Sequence, residues 1–209
     1  MRQKGLFIVF EGIDGSGSST QAELLKNYFL SQEQKAVLSP EPSEGIIGKI
    51  IRETLKKRIL FTDDSQKFNE QIAYLCAADR HDHLYNQFDG VFKLINQGFQ
   101  VITTRYYFSS LAYNGDTTED FAFIKQLNNK FPDPDLVIYL DIPIEVSLER
   151  LKERSLKDIY ENKEKLTKVK ANYQRIFNQY SKAILQIDGT KEQKQINQQI
   201  VNFIKTNIA

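Results

Sequence analysis

Three glycines, four hydroxyl side chains and a carboxylate crowd into nine residues, Gly12-Ile13-Asp14-Gly15-Ser16-Gly17-Ser18-Ser19-Thr20. Such a run can turn several backbone N–H groups inward around an anion, and a helix starting behind it adds the partial positive charge of its N-terminus. Gly12, Gly17 and Ser19 keep the spacing of the phosphate-loop pattern G-x-x-x-x-G-K-[ST], with Ser19 at the magnesium-ligand position. Ser18 stands where that pattern has lysine, and serine carries no charge to the β- and γ-phosphates. A plainer reading of the same residues is a tight strand-to-helix turn with no ligand. Arginine is the other group that phosphate chemistry calls for, and Arg52, Arg80, Arg105, Arg150 and Arg154 are spread along the chain.

The elements around these residues favour the phosphate reading. Leu6 to Phe10 is a continuous apolar run, as in a strand buried on both faces, and Ala22, Leu24, Leu25, Tyr28 and Phe29 follow at helical spacing. Further strands are expected at Lys35–Ser39, Val101–Thr104, Leu136–Asp141 and Ile184–Ile187. Helices are expected behind Ile46, at Thr118 to about Lys130, from Ile144, at about Lys163 to Lys182 and at Lys191 to Asn207. The pattern from Asp63 to the stop at Gly98 predicts one helix of about thirty residues. Strands alternating with helices argue a parallel sheet with helices on both faces. In such sheets ligands bind outside the C-terminal strand ends, which makes neighbours of Gly12–Ser19, Pro40–Gly45, Thr104–Tyr113 and Asp141.

The 209 residues fit one domain, 1–209. A net charge of +1 gives no basic excess for a nucleic acid polymer, so a phosphate site must be a local concentration of arginine and backbone amides. Cys76 is the single cysteine and reads as a small core side chain. His81 and His83, two apart on a helix, diverge and make a poor metal pair. No signal peptide or membrane-spanning run is read, so a cytoplasmic protein without a membrane partner is expected.

Five segments in order resemble the thymidylate kinase family: Phe7 to Gly17 with Ser19-Thr20-Gln21; Glu41-Pro42 with Gly48-Lys49-Ile50-Ile51-Arg52-Glu53; Ala78-Asp79-Arg80; Arg105-Tyr106 with Ser109 to Tyr113; and Leu140 to Pro143 with Glu149-Arg150-Leu151. The resemblance implies an α/β, P-loop NTPase-type three-layer fold, with a five-stranded parallel sheet and a short lid at about 154–162. It implies ATP with Mg²⁺ as donor, dTMP as acceptor, and a homodimer built on long helices such as Ser65 to Gln97. By the same resemblance Gly12, Asp14, Gly15, Ser16, Gly17, Ser18, Ser19 and Thr20 cradle ATP, with the Ser19 hydroxyl on the metal. Asp14 takes the 3′-hydroxyl, Arg52 and Arg105 the acceptor phosphate and Arg80 the thymine edge. Glu41, Ser109 and Ser110 join that pocket, and Tyr113 crowds the 2′ position. Arg105, Arg150 and Arg154 are the catalytic charges.

The chain departs from the family at Ser18, at Thr104 where an aspartate is usual, at Ile159 near a common lid arginine, and at Cys76 where many relatives place an aromatic ring. Three readings follow: a dTMP kinase in which Arg150, Arg154 or Lys157 supplies the missing charge, a nucleotide-binding homologue with weakened catalysis, or a kinase for another deoxynucleotide. Taken singly the residues have plainer roles. Arg80 could pair with Asp79 or Glu70 on a helix surface, Arg52 and Arg105 could be surface charges, Asp14 could steady its own turn, and Ser109, Ser110 and Tyr113 could pack and cap.

Overall fold

The computed structural model describes residues 4–56, 58–59, 61–62, 64–152 and 162–208. Five strands form one parallel sheet: Phe7–Glu11 (β1), Ala36–Leu38 (β2), Gln100–Thr104 (β3), Leu136–Asp141 (β4) and Ile184–Asp188 (β5), in the order β2-β3-β1-β4-β5. All five residues of β1 are buried, as expected of a central strand whose residues alternate between two covered faces. Phe7 and Val9 join a core with Val101, Val137 and Tyr139 on one side. Ile8 and Phe10 join Ile102, Ile138 and Leu140 on the other. The sheet is therefore the middle of three layers, and this α/β architecture is the expected one.

The helices are Ser18–Ser31 (α1), Ile46–Leu55 (α2), Ser65–Tyr85 (α3), Val91–Asn96 (α4), Tyr107–Asn114 (α5), Thr118–Leu127 (α6), Ile144–Lys152 (α7), Lys163–Gln179 (α8) and Gln193–Asn207 (α9). Leu25 and Phe29 of α1 and Ile196, Ile200 and Ile204 of α9 cover one face of the sheet. Phe108 of α5 and Tyr173 and Phe177 of α8 cover the other. Among the described residues no helix is long and apolar enough to cross a membrane.

Two expectations need correction. The single helix from Asp63 to Gly98 is two helices, because α3 stops at Tyr85 and α4 begins at Val91. The Asn86 side chain accepts from the Phe88 N–H at 2.8 Å, a local bond that competes with continuing the helix. The helix α5 was not expected. Its residues 108–114 are buried all round, so no polar face marks its period.

Order in the sheet positions the loops. Because β1 lies between β3 and β4, Phe10 sits beside Thr104 and Glu11 beside Tyr139, and the glycine run after β1 opens next to Arg105. The segment after β2 is tied to the same rim: the Glu41 N–H donates to the Thr104 carbonyl at 3.0 Å. Asp79 of α3, only 2% exposed, accepts from both the Ser43 N–H (2.7 Å) and the Ser43 hydroxyl (2.6 Å). The helix α2 then lies so close that a Cβ at Gly48 would come within 2.0 Å of the Ser43 carbonyl oxygen. Glycine to alanine inside a helix normally stabilises by about 1 kcal/mol. Gly48→Ala is expected instead to destabilise by about 1–3 kcal/mol through the forced shift of α2, read as a lower urea midpoint; an unchanged or raised midpoint would contradict this packing.

Candidate active site

The glycine run becomes a cradle through its backbone angles. Gly15 (φ 77°) and Gly17 (φ 94°) occupy the left-handed region that L side chains rarely adopt. Gly17 is the N-cap of α1, no side chain caps that end, and no acid lies in its first turn. No carboxylate of that turn therefore offsets the partial positive charge at the N-terminus of α1, which starts directly behind the loop. From behind, α7 fixes the loop. The Ser147 hydroxyl donates to the Asp14 carbonyl at 2.6 Å. Arg150 donates to the carbonyls of Gly15 (3.0 Å), Ser16 (3.4 Å) and Gly189 (3.1 Å).

One cavity of about 390 Å³ opens in front of the loop. Asp14, Gly15, Gly17, Ser18, Ser19 and Thr20 line one part of it; Glu41, Arg52, Arg80, Arg105, Ser109, Ser110 and Tyr113 line the rest. Gly12 and Ser16 are not on its wall, and Ser16 is buried. Arg150, bound to the loop's back, is not on the wall either. Arg154, Lys157, Ile159 and the lid expected at about 154–162 lie outside the described residues, apart from Asn162, whose side chain caps α8 by accepting from the Lys165 N–H at 2.9 Å.

Arg105 follows the last residue of β3 with a left-handed backbone (φ 68°), a conformation that a non-glycine residue holds only when its surroundings enforce it. Its N–H donates to the Phe10 carbonyl at 2.8 Å, and its guanidinium pairs with Asp14 and lies 4.7 Å over the Tyr113 ring. Tyr113 donates to Asp14 at 2.8 Å, and burial pushes the tyrosine pKa up, so the hydroxyl stays a donor. Beneath Arg105 lies Glu11, fully buried, accepting from the Tyr106 N–H (2.8 Å), the Ser109 hydroxyl (2.6 Å) and the Tyr173 hydroxyl (2.8 Å).

Arg80 is 2% exposed and sits at the cavity wall, not on a helix surface. It pairs with Glu41 (2.7 Å) rather than with Asp79 or Glu70, and donates to Ser110 (3.2 Å) and to Asn128 at the end of α6. Glu41 is braced in turn by His83 at 3.1 Å, whose other ring nitrogen meets the Ser39 hydroxyl at 2.7 Å. Arg52 donates to the carbonyls of Pro42 (2.7 Å) and Ser43 (2.6 Å). Cys76 also lines the cavity, and burial pushes its thiol up to about 12, leaving a neutral group near Arg80. Among the described residues no group of three or more His, Cys, Asp or Glu is placed to hold a metal ion.

A thymidylate kinase family model matches residues 10–200, which include every strand end on this cavity. The chain belongs to the thymidylate kinase family. Relatives include a putative thymidylate kinase of Treponema pallidum, 35% identical over 95% of this chain and 94% of its own. Probable thymidylate kinases of Methanococcus aeolicus (41% identical over 83% of this chain and 80% of its own) and Methanocaldococcus jannaschii (36% over 96% of each) are also similar.

Sequence reasoning assigned no role to three residues that shape the site of this thymidylate kinase family member: Glu11, His83 and Asp79. Glu11 left one signal, a carboxylate closing an otherwise apolar strand. His83 left none and Asp79 stood out only within Ala78-Asp79-Arg80, because their partners Glu41, Ser39 and Ser43 lie about forty residues away in sequence.

Burial raises the Glu11 pKa from 4.5 to about 7, against the lowering effect of its bonds to Ser109 and Tyr173. A carboxyl that holds its proton more tightly when folded stabilises fully below about 4.5, and that stabilisation is lost as pH rises through about 7. Relative to a Glu11→Gln variant, the natural protein is therefore expected to lose up to about 3 kcal/mol of unfolding free energy across that window. Urea midpoints at about pH 5 and about pH 8 for both proteins measure it; identical pH dependence in the two would contradict the assignment.

Proposed function

We propose that the chain transfers the γ-phosphoryl group of ATP to dTMP, giving dTDP and ADP. The observation that carries this reading is that a phosphate-loop mouth and three arginines share one cavity lined by Gly17, Ser18, Ser19, Arg52, Arg80 and Arg105. A donor triphosphate and an acceptor monophosphate can thus meet without leaving protein contact. An acceptor phosphate oxygen bonds to the γ-phosphorus, the bond from that phosphorus to the β,γ-bridging oxygen breaks, and ADP leaves with the electron pair. No strong base is needed, because a monophosphate already carries nearly two negative charges near neutral pH. The work is positioning two polyanions and neutralising charge on the transferred group.

In this reading the backbone N–H groups at Gly15–Thr20 hold the donor phosphates. The Ser19 hydroxyl would hold Mg²⁺ brought with ATP, and the ion would supply neutralisation of phosphate charge. Arg105 and Arg52 hold the acceptor phosphate, Asp14 the 3′-hydroxyl, Arg80 and Ser110 the thymine edge, and Tyr113 crowds the 2′ position. Arg150 serves as the clamp behind the loop, a role that its bonds to Gly15 and Ser16 support. A lid at about 154–162 carrying Arg154, one kinase domain over 1–209 and a cytoplasmic location complete the proposal. A homodimer through α3 is supported by the exposed Tyr74 and Tyr85 on that helix and by Phe88 just after it. The survival of Arg52, Arg80, Arg105 and Tyr113 on the wall favours an active enzyme over a binding-only homologue.

The test is ADP formation with Mg–ATP and each deoxynucleoside monophosphate in turn. Turnover with dTMP preferred over the others is expected, and Arg105→Met should lower kcat by roughly a hundredfold or more. No turnover with any monophosphate, or clear preference for another base, would reject the reading.

A further inference from the structure

We propose that Lys56, from the C-terminal end of α2, supplies the positive charge that Ser18 cannot bring to the β- and γ-phosphates. The proposal rests on the kinase reading above and adds a catalytic residue to it. With serine at 18, the phosphate loop offers backbone amides and hydroxyls but no cation. A transferring phosphoryl group needs one, since charge spreads over its oxygens in the transition state.

The cations on the cavity wall, among the described residues, are Arg52, Arg80, Arg105 and Lys56. The three arginines are held in place by protein oxygens and, in the reading above, serve the acceptor. Arg80 is locked to Glu41 and Ser110, and Arg105 to Asp14 beside Tyr113. Arg52 is held by the carbonyls of Pro42 and Ser43. Arg150, an obvious stand-in by sequence, turns its guanidinium to the carbonyls behind the loop and is absent from the wall.

Lys56 differs in both position and commitment. It caps α2, its N–H donating to the Arg52 carbonyl at 3.1 Å, so it stands one turn beyond Arg52 at the end of that helix. That end borders the same cavity as Ser18 and Ser19. Among the described residues its ammonium meets Glu53, at 3.5 Å, with both side chains 35% exposed. Exposed pairs of this kind contribute little, so a triphosphate can outcompete the carboxylate. Glu53 also pairs with Arg58 at 3.3 Å and is not left without a cation when Lys56 turns away. A compact charge on a flexible four-carbon stem is what the loop lysine of the standard pattern provides, and lysine alone reproduces it from a different backbone position.

The experiment compares the natural protein with Lys56→Met, Lys56→Arg and the double variant Lys56→Met with Ser18→Lys, measuring kcat and both KM values with Mg–ATP and dTMP. Lys56→Met keeps the stem and loses the charge, and should lower kcat by roughly a hundredfold, with KM for dTMP little changed. Lys56→Arg should retain part of the rate, and Ser18→Lys in the Lys56→Met background should restore most of it. A Lys56→Met protein as fast as the natural one overturns the proposal, and so does a loss that Ser18→Lys leaves unrepaired. If the natural protein turns over no dTMP at all, the kinase reading falls with it, whereas normal turnover with an indifferent Lys56 removes only this inference.

Discussion

A guanidinium taken out of water must be given oxygen partners, or its burial is prohibitive. The cavity wall away from the glycine loop is built around two answers to that requirement. Arg80, nearly fully buried, is matched by Glu41 from the segment after β2 and by Asn128 from the end of α6. Arg105, forced into a left-handed backbone at the end of β3, is matched by Asp14 from the loop after β1. Each pair joins segments far apart in sequence, so the arrangement exists only when the sheet is assembled in its order β2-β3-β1-β4-β5. Such pairs add little net stability compared with apolar contacts, but they fix planar donors at set angles.

The supporting shell shows the same economy. Glu11 is shared by a backbone amide of Tyr106 and hydroxyls of Ser109 and Tyr173, which ties β1, α5 and α8 together directly under Arg105. Asp79 and His83, on successive turns of α3, hold the Ser39–Ser43 segment through Ser43, Glu41 and Ser39. One helix therefore fixes both the loop that carries Glu41 and the arginine that Glu41 faces. Behind the glycine loop, Ser147 and Arg150 of α7 satisfy the carbonyls of Asp14, Gly15 and Ser16 and so fix its backbone.

The substitution at Ser18 divides the site into a complete part and an altered part. Arg52, Arg80 and Arg105 on the cavity wall are in place and paired, while the glycine loop carries serine where the phosphate-loop pattern has lysine. Arg150 has positive charge close to the loop, yet its bonds to Gly15, Ser16 and Gly189 hold it off the cavity wall. Distance along the chain says nothing about which side of a loop a guanidinium approaches. Lys56 lies in the opposite situation, remote in sequence but on the cavity wall.

Much of this protein was legible in its sequence. The buried strands announced themselves as apolar runs, α1 and α9 by apolar spacing, and the glycine loop by its motif. Arg52, Arg80 and Arg105 were singled out by resemblance. What the sequence missed was α5, which is buried all round and so shows no period, and the break at Asn86, where one side-chain bond to Phe88 outweighs a helical pattern running through it. The partner of Arg80, the direction of Arg150, the burial of Glu11 and the bracing by His83 were decided by tertiary structure alone. The physical reason is that spacing encodes neighbours within one helix or strand, through periods of 3.6 and 2. Contacts between elements depend on the order in which the strands line up and on which face each helix buries, and no local pattern carries either.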